Sequence, residues 1–244
     1  MHYIKAFLYE LARQYKFFHF LLTPLFCWFQ KFRRKRDTKL KKMNENFLNH
    51  AGDLLGVFKN CLDKNGLQFW LTAGTLLGAY REKRLLTHDL DLDVAMFEKD
   101  MAKVKEVLLA EGFTLEHEYG IVDEGVTEMA FSYKEVKIDI FFTKKINNKF
   151  ANYIFYKDIP SEREDDYRVV EMFLPETDFI EYDFLGAKYL IPAKTVEYLS
   201  ANYGPSFMTP NKYWNFTRDI PSAVYHKLKS KRGFHIGYGN PEDK

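Results

Sequence analysis

Three aspartates at alternating positions, Asp89, Asp91 and Asp93, have the spacing that most directly predicts chemistry in this sequence. Residues 90–96 alternate carboxylates with apolar side chains and so predict a strand, on which every second side chain points to the same face. Like charges about 7 Å apart from one to the next repel each other unless a cation neutralises them. Carboxylate oxygens suit Mg²⁺ or Mn²⁺, which commonly also holds substrate phosphates. The pattern therefore predicts a divalent-metal site.

A further acid, Asp139, lies in the segment Val-Lys-Ile-Asp-Ile-Phe-Phe, which predicts a strand over residues 136–142. An aspartate among Ile and Phe is costly to bury unless it is paired or bound to a metal. We therefore expect Asp139 on the open face of its strand, half-buried, as a third carboxylate for the metal site.

Gly74 and Thr75 lie where a predicted strand over residues 67–71 turns into a helix. Backbone N–H groups and the helix dipole can hold a phosphate at such a turn, and glycine permits its close approach. Taken singly, each feature has an ordinary explanation. Acidic alternation is often the solvated face of an antiparallel sheet, and Gly-Thr before a helix is a common N-cap arrangement. Their order along the chain is that of a nucleotidyltransferase fold.

The elements that must position these residues indicate an α+β (α/β-type) fold, a mixed sheet flanked by helices. Apolar residues at helical spacing from about residue 47 predict a helix that stops at Asn65-Gly66. Further helices are predicted over residues 98–111 and 193–203. Strands are predicted over residues 113–119 and 127–133, and a segment over 179–191 is expected to be extended. We expect three parts: an arm over 1–43, a catalytic domain over 44–227, and a loosely ordered polar tail over 228–244.

Composition separates the N-terminal arm from the rest of the chain. The net charge of the 244 residues is +2, but residues 1–42 hold eleven Lys and Arg against two acids, so the arm is basic and the body acidic. The two cysteines are too few for a disulfide framework or a multi-cysteine zinc site. The ordinary Gly and Pro content, with 17% aromatic residues, excludes collagen-like and wholly disordered chains.

The arm itself predicts an interfacial membrane helix. Residues 17–29 are largely apolar but too short to span a bilayer alone, and the basic cluster of residues 31–36 follows them. Apolar bulk beside a polybasic cluster is typical of a helix lying on anionic lipid. We expect a peripheral location at the cytoplasmic face of a membrane. The alternatives are that the helix packs on the domain or self-associates; nucleic-acid binding is not expected.

The stretch from Trp70 to Met96 strongly resembles the LicD family, which includes bacterial phosphocholine transferases and eukaryotic fukutin-related ribitol-phosphate transferases. The resemblance continues in Val-Lys-Ile-Asp-Ile-Phe-Phe and in the late Tyr-Gly-Pro and Met-Thr-Pro segments of residues 203–210. It implies a nucleotidyltransferase-like fold and a metal-dependent phosphotransferase. Such an enzyme moves phosphocholine, ribitol phosphate or a similar group from a CDP-linked alcohol donor to a glycan acceptor of the lipopolysaccharide, capsule or teichoic-acid type, with CMP leaving.

By this resemblance, two sets of residues carry the site. The donor-phosphate set is Gly74, Thr75 and Arg81, and the catalytic and metal-binding set is Asp91, Asp93 and Asp139. The sequence departs from the family at Leu90, where many members have an aspartate. Two other readings stay open: a nucleotidyltransferase that acts on a small molecule or RNA, and a non-catalytic membrane-associated scaffold. The intact acids argue against the scaffold, because unneutralised buried carboxylates are costly.

Overall fold

The computed structural model describes the backbone of residues 16–157 and 163–238, and the side chains from residue 38 onwards within those ranges. The helices are α1 (Lys16–Lys64), α2 (Ala73–Leu77), α3 (Met101–Ala110) and α4 (Thr195–Tyr203), with a π-helical turn over Gly78–Glu82 and a 3₁₀ turn over Glu98–Asp100. The strands are β1 (Trp70–Leu71), β2 (Asp91–Phe97), β3 (Thr114–Ile121), β4 (Gly125–Tyr133), β5 (Val136–Ile146), β6 (Lys149–Tyr156), β7 (Tyr167–Pro175), β8 (Phe179–Phe184), β9 (Ala187–Pro192), β10 (Ala223–Tyr225) and β11 (Arg232–Gly237).

Nine of these strands form one mixed sheet in the order β1-β2-β5-β4-β3-β11-β7-β10, with β6 paired to both β5 and β7. The β2–β5 pair is parallel, and the other pairs are antiparallel. The pairings β5–β4–β3–β11–β7–β6–β5 return to their starting strand, so these six strands form a closed circuit. Strands β8 and β9 make a separate hairpin.

Two compact units divide the chain, Met1–Glu45 and Asn46–Lys244. In the second unit, helix α1 buries an apolar stripe at spacings of three and four residues, as the sequence predicts. It ends where Gly66 adopts a φ of 65° and its N–H bonds to the Asp63 carbonyl, a left-handed turn that favours glycine. The stripe belongs to the main core together with the apolar face of β2, β4 and β5. The buried members are Phe47, Ala51, Leu54, Leu55, Phe58 and Leu62 from the helix, and Leu92, Val94, Met96, Met129, Phe131, Ile138, Ile140 and Phe142 from the strands.

The predicted α+β class, the mixed sheet and the strands over 90–96, 127–133 and 136–142 are confirmed. The strand predicted over 67–71 is shorter, Trp70–Leu71. The prediction of a loosely ordered tail after residue 228 is wrong for Arg232–Gly237, which forms β11 between β3 and β7. This six-residue segment contains two glycines and shows no clear alternation of apolar and polar side chains, so its sequence does not predict a strand. Its pairing with β3 and β7 makes it one.

Residues 1–15 of the arm lie outside the described residues, as does every side chain up to residue 37. The backbone of residues 17–29 is helical as part of α1. Within the described part of the chain, no helix combines the length and apolar composition needed to cross a membrane. The interfacial helix and the boundaries of the arm and tail therefore stay predictions.

Candidate active site

Strand register brings the acids together on the face of the sheet opposite the main core. Asp93 on β2 is the direct partner of Asp139 on β5, and both alternate with core residues along their strands. Across the other edge of β5, Ala130 on β4 pairs with Asp139, and Glu128 pairs with Phe141. Because side chains two apart on a strand share a face, Glu128 points to the same side as Asp139. We call Asp89, Asp91, Asp93, Glu128 and Asp139 the acid centre.

Glu128 is the member that sequence reasoning missed. It lies in a buried stretch of β4 among Thr127, Met129 and Ala130, and it is itself buried. The signal was available, because an acid within an apolar strand is the same feature that singled out Asp139. What the sequence lacked was the register of β4 against β5, which carries Glu128 towards the other carboxylates.

Gly74 and Thr75 clamp Asp93. The Gly74 N–H donates to Asp93 Oδ2 at 2.9 Å, and the Asp93 N–H donates to Thr75 Oγ1 at 2.8 Å. A Cβ on residue 74 would lie 2.9 Å from Asp89 Oδ2 and 3.0 Å from Asp93 Oδ2, so only glycine leaves room for both carboxylates. In this structure the Gly74 N–H is therefore occupied by a carboxylate; a role for Gly74 and Thr75 in phosphate binding stays a prediction.

Asp89 reaches the centre from a different element than predicted. Strand β2 begins at Asp91, so Asp89 lies in the segment before the strand and not on it. Its carboxylate nevertheless points at Gly74. The adjacent His88 side chain is largely exposed, with Nε2 3.8 Å from Asp89 Oδ1. The prediction that three aspartates alternate on one strand is thus correct for Asp91 and Asp93. Asp89 reaches the acid centre from the loop before the strand.

Burial raises the pKa of every acid in the centre, and the charges of neighbouring carboxylates add to this shift for all of them except Asp91. Burial is the main cause throughout. It raises the pKa of Asp89 to about 6 and, with the charge of Asp91, that of Asp139 to about 7. For Asp93 and Glu128, burial and the neighbouring carboxylates raise the pKa well above the ordinary value. A cluster whose charged form is this unfavourable is one that a cation would stabilise.

Lys137 is the basic side chain of the centre. It is the cross-strand partner of Asp91, and its Nζ lies 3.9 Å from Asp91 Oδ2. Burial by itself lowers the pKa of Lys137. The surrounding carboxylates, Asp139 most of all, raise it by more than burial lowers it, so the net shift is upward. Its charge opposes the upward shift of the pKa of Asp91, whose first cause is burial. One lysine offsets only part of the charge of five carboxyl groups.

The carboxylate oxygens of the acid centre suit a Mg²⁺ or Mn²⁺ ion that also binds a substrate. The oxygen ligands are of the right type, and Asp139 Oδ1 is buried with no hydrogen-bond partner. Among the described side chains, no group of three or more His, Cys, Asp or Glu residues is arranged to hold a metal ion by itself. Mg²⁺ is usually bound by one or two carboxylates, substrate phosphates and water, so a complete protein cage is not required.

Arg81 anchors the wall of a cavity beside the acid centre. Its side chain is 10% exposed; one terminal nitrogen donates to the Phe207 carbonyl at 3.0 Å and the other to Glu82 at 2.9 Å. Its Nε is buried without a partner. Arg81 thus ties the π-helical turn to the segment after α4, and its predicted contact with a donor phosphate stays a prediction.

The cavity has a volume of about 610 Å³, within the range of small-molecule sites. The acid-centre end contributes Gly74 and Asp89, and the segment after α4 contributes the opposite wall. Trp214 lies in that wall with its ring 4.8 Å from the ring of Tyr203, and its Nε1 is buried without a partner. The lining residues are Gly74, Leu77, Arg81, Leu86, His88, Asp89, Tyr203, Ser206, Phe207, Thr209, Pro210, Asn211, Lys212 and Trp214.

Comparison with known proteins places the acid centre inside a described family domain. Residues 66–194 match the family profile "LicD/FKTN/FKRP, nucleotidyltransferase domain". The human ribitol-5-phosphate transferase FKTN is 29% identical over 181 residues, which are 72% of this chain and 37% of that protein. The human ribitol 5-phosphate transferase FKRP is 25% identical over 162 residues, 63% of this chain and 31% of that protein. The chain thus spans just over a third of the length of FKTN.

Two solved structures match this chain at low similarity. One is the lincosamide antibiotic adenylyltransferase LnuA with lincomycin bound, at 12% identity and a TM-score of 0.40 over 63% of this chain and 93% of that one. The other is ANT(2")-Ia in complex with adenylyl-2"-tobramycin, at 12% identity and a TM-score of 0.42 over 68% and 81%. Likenesses this distant carry no argument about function. The family match covers more than half of the chain and includes the whole acid centre, and the chain therefore belongs to the LicD family.

Proposed function

We propose that this chain transfers a phospho-alcohol from a CDP-activated donor to a hydroxyl of a cell-surface glycan. The single observation that carries the proposal is the acid centre inside a LicD domain: four carboxyl groups lie on one sheet face, and that of Asp89 joins them from the segment before β2. Moving a phosphoryl group needs little covalent work from the protein, so catalysis depends on positioning and charge neutralisation. A concave site beside clustered acids supplies both.

The donor occupies the cavity between Gly74 and Trp214. Its size suits a nucleotide, Trp214 offers an aromatic ring for the pyrimidine base, and Arg81 and Lys212 are cations for the diphosphate. This arrangement directs the diphosphate towards Asp89 and Asp93 at the acid-centre end. The phospho-alcohol then projects over the sheet face. Ribitol phosphate is the first group to test, because FKTN and FKRP are named as ribitol-phosphate transferases.

Asp91 and Asp93 are the residues that would hold Mg²⁺ or Mn²⁺. A cation held there would supply neutralisation of the phosphate charge that develops during transfer. The Gly74 N–H holds the carboxylate of Asp93, Thr75 Oγ1 accepts from the backbone N–H of Asp93, and Lys137 lies 3.9 Å from the Asp91 carboxylate. The protein thus orients both carboxylates before substrate arrives.

Asp139 accepts the proton of the attacking hydroxyl. Burial raises the pKa of this carboxyl to about 7 in the metal-free protein, so it holds a proton more strongly than an ordinary aspartate, which favours a general base. The acceptor oxygen bonds to the β-phosphorus, the bond from that phosphorus to the bridging oxygen breaks, and CMP leaves with the electron pair. The proton passes from the acceptor oxygen to Asp139. Atoms and charges balance without any further reactant.

We also propose that the basic arm attaches the protein to the cytoplasmic face of a membrane. The support is the sequence alone, five Lys and Arg within residues 31–36 after an apolar run. Each basic side chain near an anionic surface contributes about 1 kcal/mol. Such attachment would bring the enzyme to lipid-linked glycan acceptors.

The experiment that tests the function is incubation of the protein with Mg²⁺ and CDP-ribitol, CDP-choline, CDP-glycerol or CDP-ethanolamine, followed by detection of CMP. We expect CMP from at least one donor, and loss of at least 100-fold in rate for Asp93→Asn because positioned charge is worth several kcal/mol. The matched control is Asp53→Asn, an exposed aspartate on α1. Pyrophosphate released from CTP or ATP instead would identify a nucleotidyltransferase, and failure to bind any nucleotide would identify a scaffold.

A further inference from the structure

A group of aromatic rings continues the sheet face beyond the acid centre. His117 and Tyr119 lie on β3, Tyr167 begins β7 and His235 lies on β11, and all four are half-buried. The Tyr119 ring is 4.6 Å from that of His235, 5.2 Å from that of Tyr167 and 5.0 Å from that of His117. It stacks on the buried ring of Phe155 at 5.4 Å and an angle of 6°. We call the four half-buried rings the aromatic face.

Strand register makes this face continuous with the acid centre. Tyr119 is the cross-strand partner of Glu128, and His117 is the partner of Ala130, which in turn pairs with Asp139. Because directly paired residues share a side of the sheet, the tyrosine and the acids point the same way. Adjacent strands are about 4.8 Å apart, so the backbone of His117 on β3 lies roughly 10 Å from that of Asp139 on β5, and Tyr119 lies two residues further along.

The cavity of the proposed donor and the aromatic face lie on opposite sides of the acids. Gly74 contacts the acids from the β1–β2 edge, whereas β4, β3 and β11 follow on the other side of β5. A transfer between two substrates needs a position for each on either side of the reacting phosphorus. With the donor in the cavity, the aromatic face offers a position for the acceptor on the far side of the acids.

The chemistry of the four rings suits a polyhydroxylated ring. Burial, the charge of Lys137 and the neighbouring His235 lower the pKa of His117 to about 3, so this imidazole is neutral and offers a hydrogen-bond donor and acceptor instead of a charge. The tyrosines add hydroxyl groups, and their rings add apolar faces that pack against the C–H faces of sugars. A quaternary ammonium could also lie over the tyrosine ring faces, and choline is therefore the competing ligand in the test.

We propose that His117, Tyr119, Tyr167 and His235 form the acceptor subsite, which holds a sugar ring of the glycan with one hydroxyl directed at Asp139. This inference rests on the proposed function and adds to it the residues that select the acceptor. The sugar lies against the exposed part of the rings. Glu128 lies between these rings and Asp91 and Asp93, the carboxylates on the donor side. Tyr119 has Phe155 behind it, so its ring is held in place before the sugar binds.

Saturation-transfer NMR with the full chain tests the subsite. The probes are galactose, N-acetylglucosamine, N-acetylgalactosamine and ribitol, each at millimolar concentration, with choline chloride as the competing chemistry. We expect at least one sugar to bind, and Tyr167→Ala to weaken it by about fivefold to tenfold, the loss of one aromatic contact. Tyr167→Phe should keep most of the affinity, because the ring remains. The matched control is Tyr238→Ala. Tyr238 is 49% exposed, and its hydroxyl donates to Glu118. Glu118 is next to Tyr119 on β3, and its side chain points to the opposite face of the sheet.

A second readout separates the subsite from the function. The Kd for CDP-ribitol should be the same in Tyr167→Ala and the unaltered protein, because the donor lies on the other side of the acids. Sugar binding lost in Tyr167→Ala with unchanged donor binding supports the subsite. The subsite is overturned by any of three results: equal sugar binding by Tyr167→Ala and the unaltered protein, no sugar binding at all, or binding of choline in place of sugars. If no donor is turned over while sugar binding depends on Tyr167, the proposed reaction fails and the sugar site stands.

Discussion

Replacing Asp139 with Asn should stabilise the metal-free protein at pH 8 and abolish transfer. In the folded protein the pKa of Asp139 is raised from 3.8 to about 7 by burial and by Asp91. Between these two pH values the folded chain holds a proton that the unfolded chain has lost, so stability falls as pH rises through this window. An amide at this position carries no charge to repel or to desolvate, and Asp139 Oδ1 has no hydrogen bond to lose.

The magnitude follows from the size of the pKa rise. About three pKa units at about 1.4 kcal/mol each give roughly 4 kcal/mol as the upper limit of the relief above pH 7. Burying the amide itself without full hydrogen bonding takes back about 1–3 kcal/mol. We therefore expect a net stabilisation of about 2 kcal/mol at pH 8, which corresponds to a rise in Tm of roughly 4–8 °C for a domain of this size.

Thermal unfolding in EDTA at pH 5 and pH 8 measures this effect. The gain in Tm for Asp139→Asn should be present at pH 8 and almost absent at pH 5, where the native carboxyl is already protonated. Asp53→Asn on α1 should change Tm little at either pH, because it is exposed. A gain equal at both pH values would refute electrostatic strain as its cause. A loss of stability at pH 8 would show that the carboxylate is a stabilising surface group.

Three further predictions concern the cation, the glycine and the arm. Mg²⁺ should raise the Tm of the unaltered protein at pH 8 by several degrees and hardly at pH 5, and an equal shift at both would argue against binding by the carboxylates. Gly74→Ala should lower the transfer rate by at least about 100-fold while the fold persists, since its Cβ displaces Asp89 and Asp93; normal CMP release would contradict the packing at this turn. The full chain should sediment with anionic liposomes and a chain starting near residue 44 should not; equal sedimentation would remove the membrane role of the arm.

The sequence by itself determined the parts of the site that depend on local periodicity. Alternation along a strand assigned Asp91 and Asp93 to one face of β2 and Asp139 to the face of β5 opposite its apolar residues, and the structure shows both. A glycine before a short helix marked the turn that touches Asp93. These features were readable because each depends only on residues a few positions apart, and the side-chain period of a strand is fixed by its backbone.

Tertiary structure alone decided which distant residues join them. Glu128 enters the acid centre because β4 pairs with β5 in one register, and Tyr119 follows because β3 pairs with β4. A register shifted by one residue would turn Glu128 to the opposite face with the same local pattern, so periodicity cannot fix it. His235 lies on a strand whose sequence predicted a loose tail, and it reaches the aromatic face because β3 and β7 hold that strand between them. Pairing between strands far apart in the chain is a property of the whole fold, set by burial of the shared core and not by any single segment.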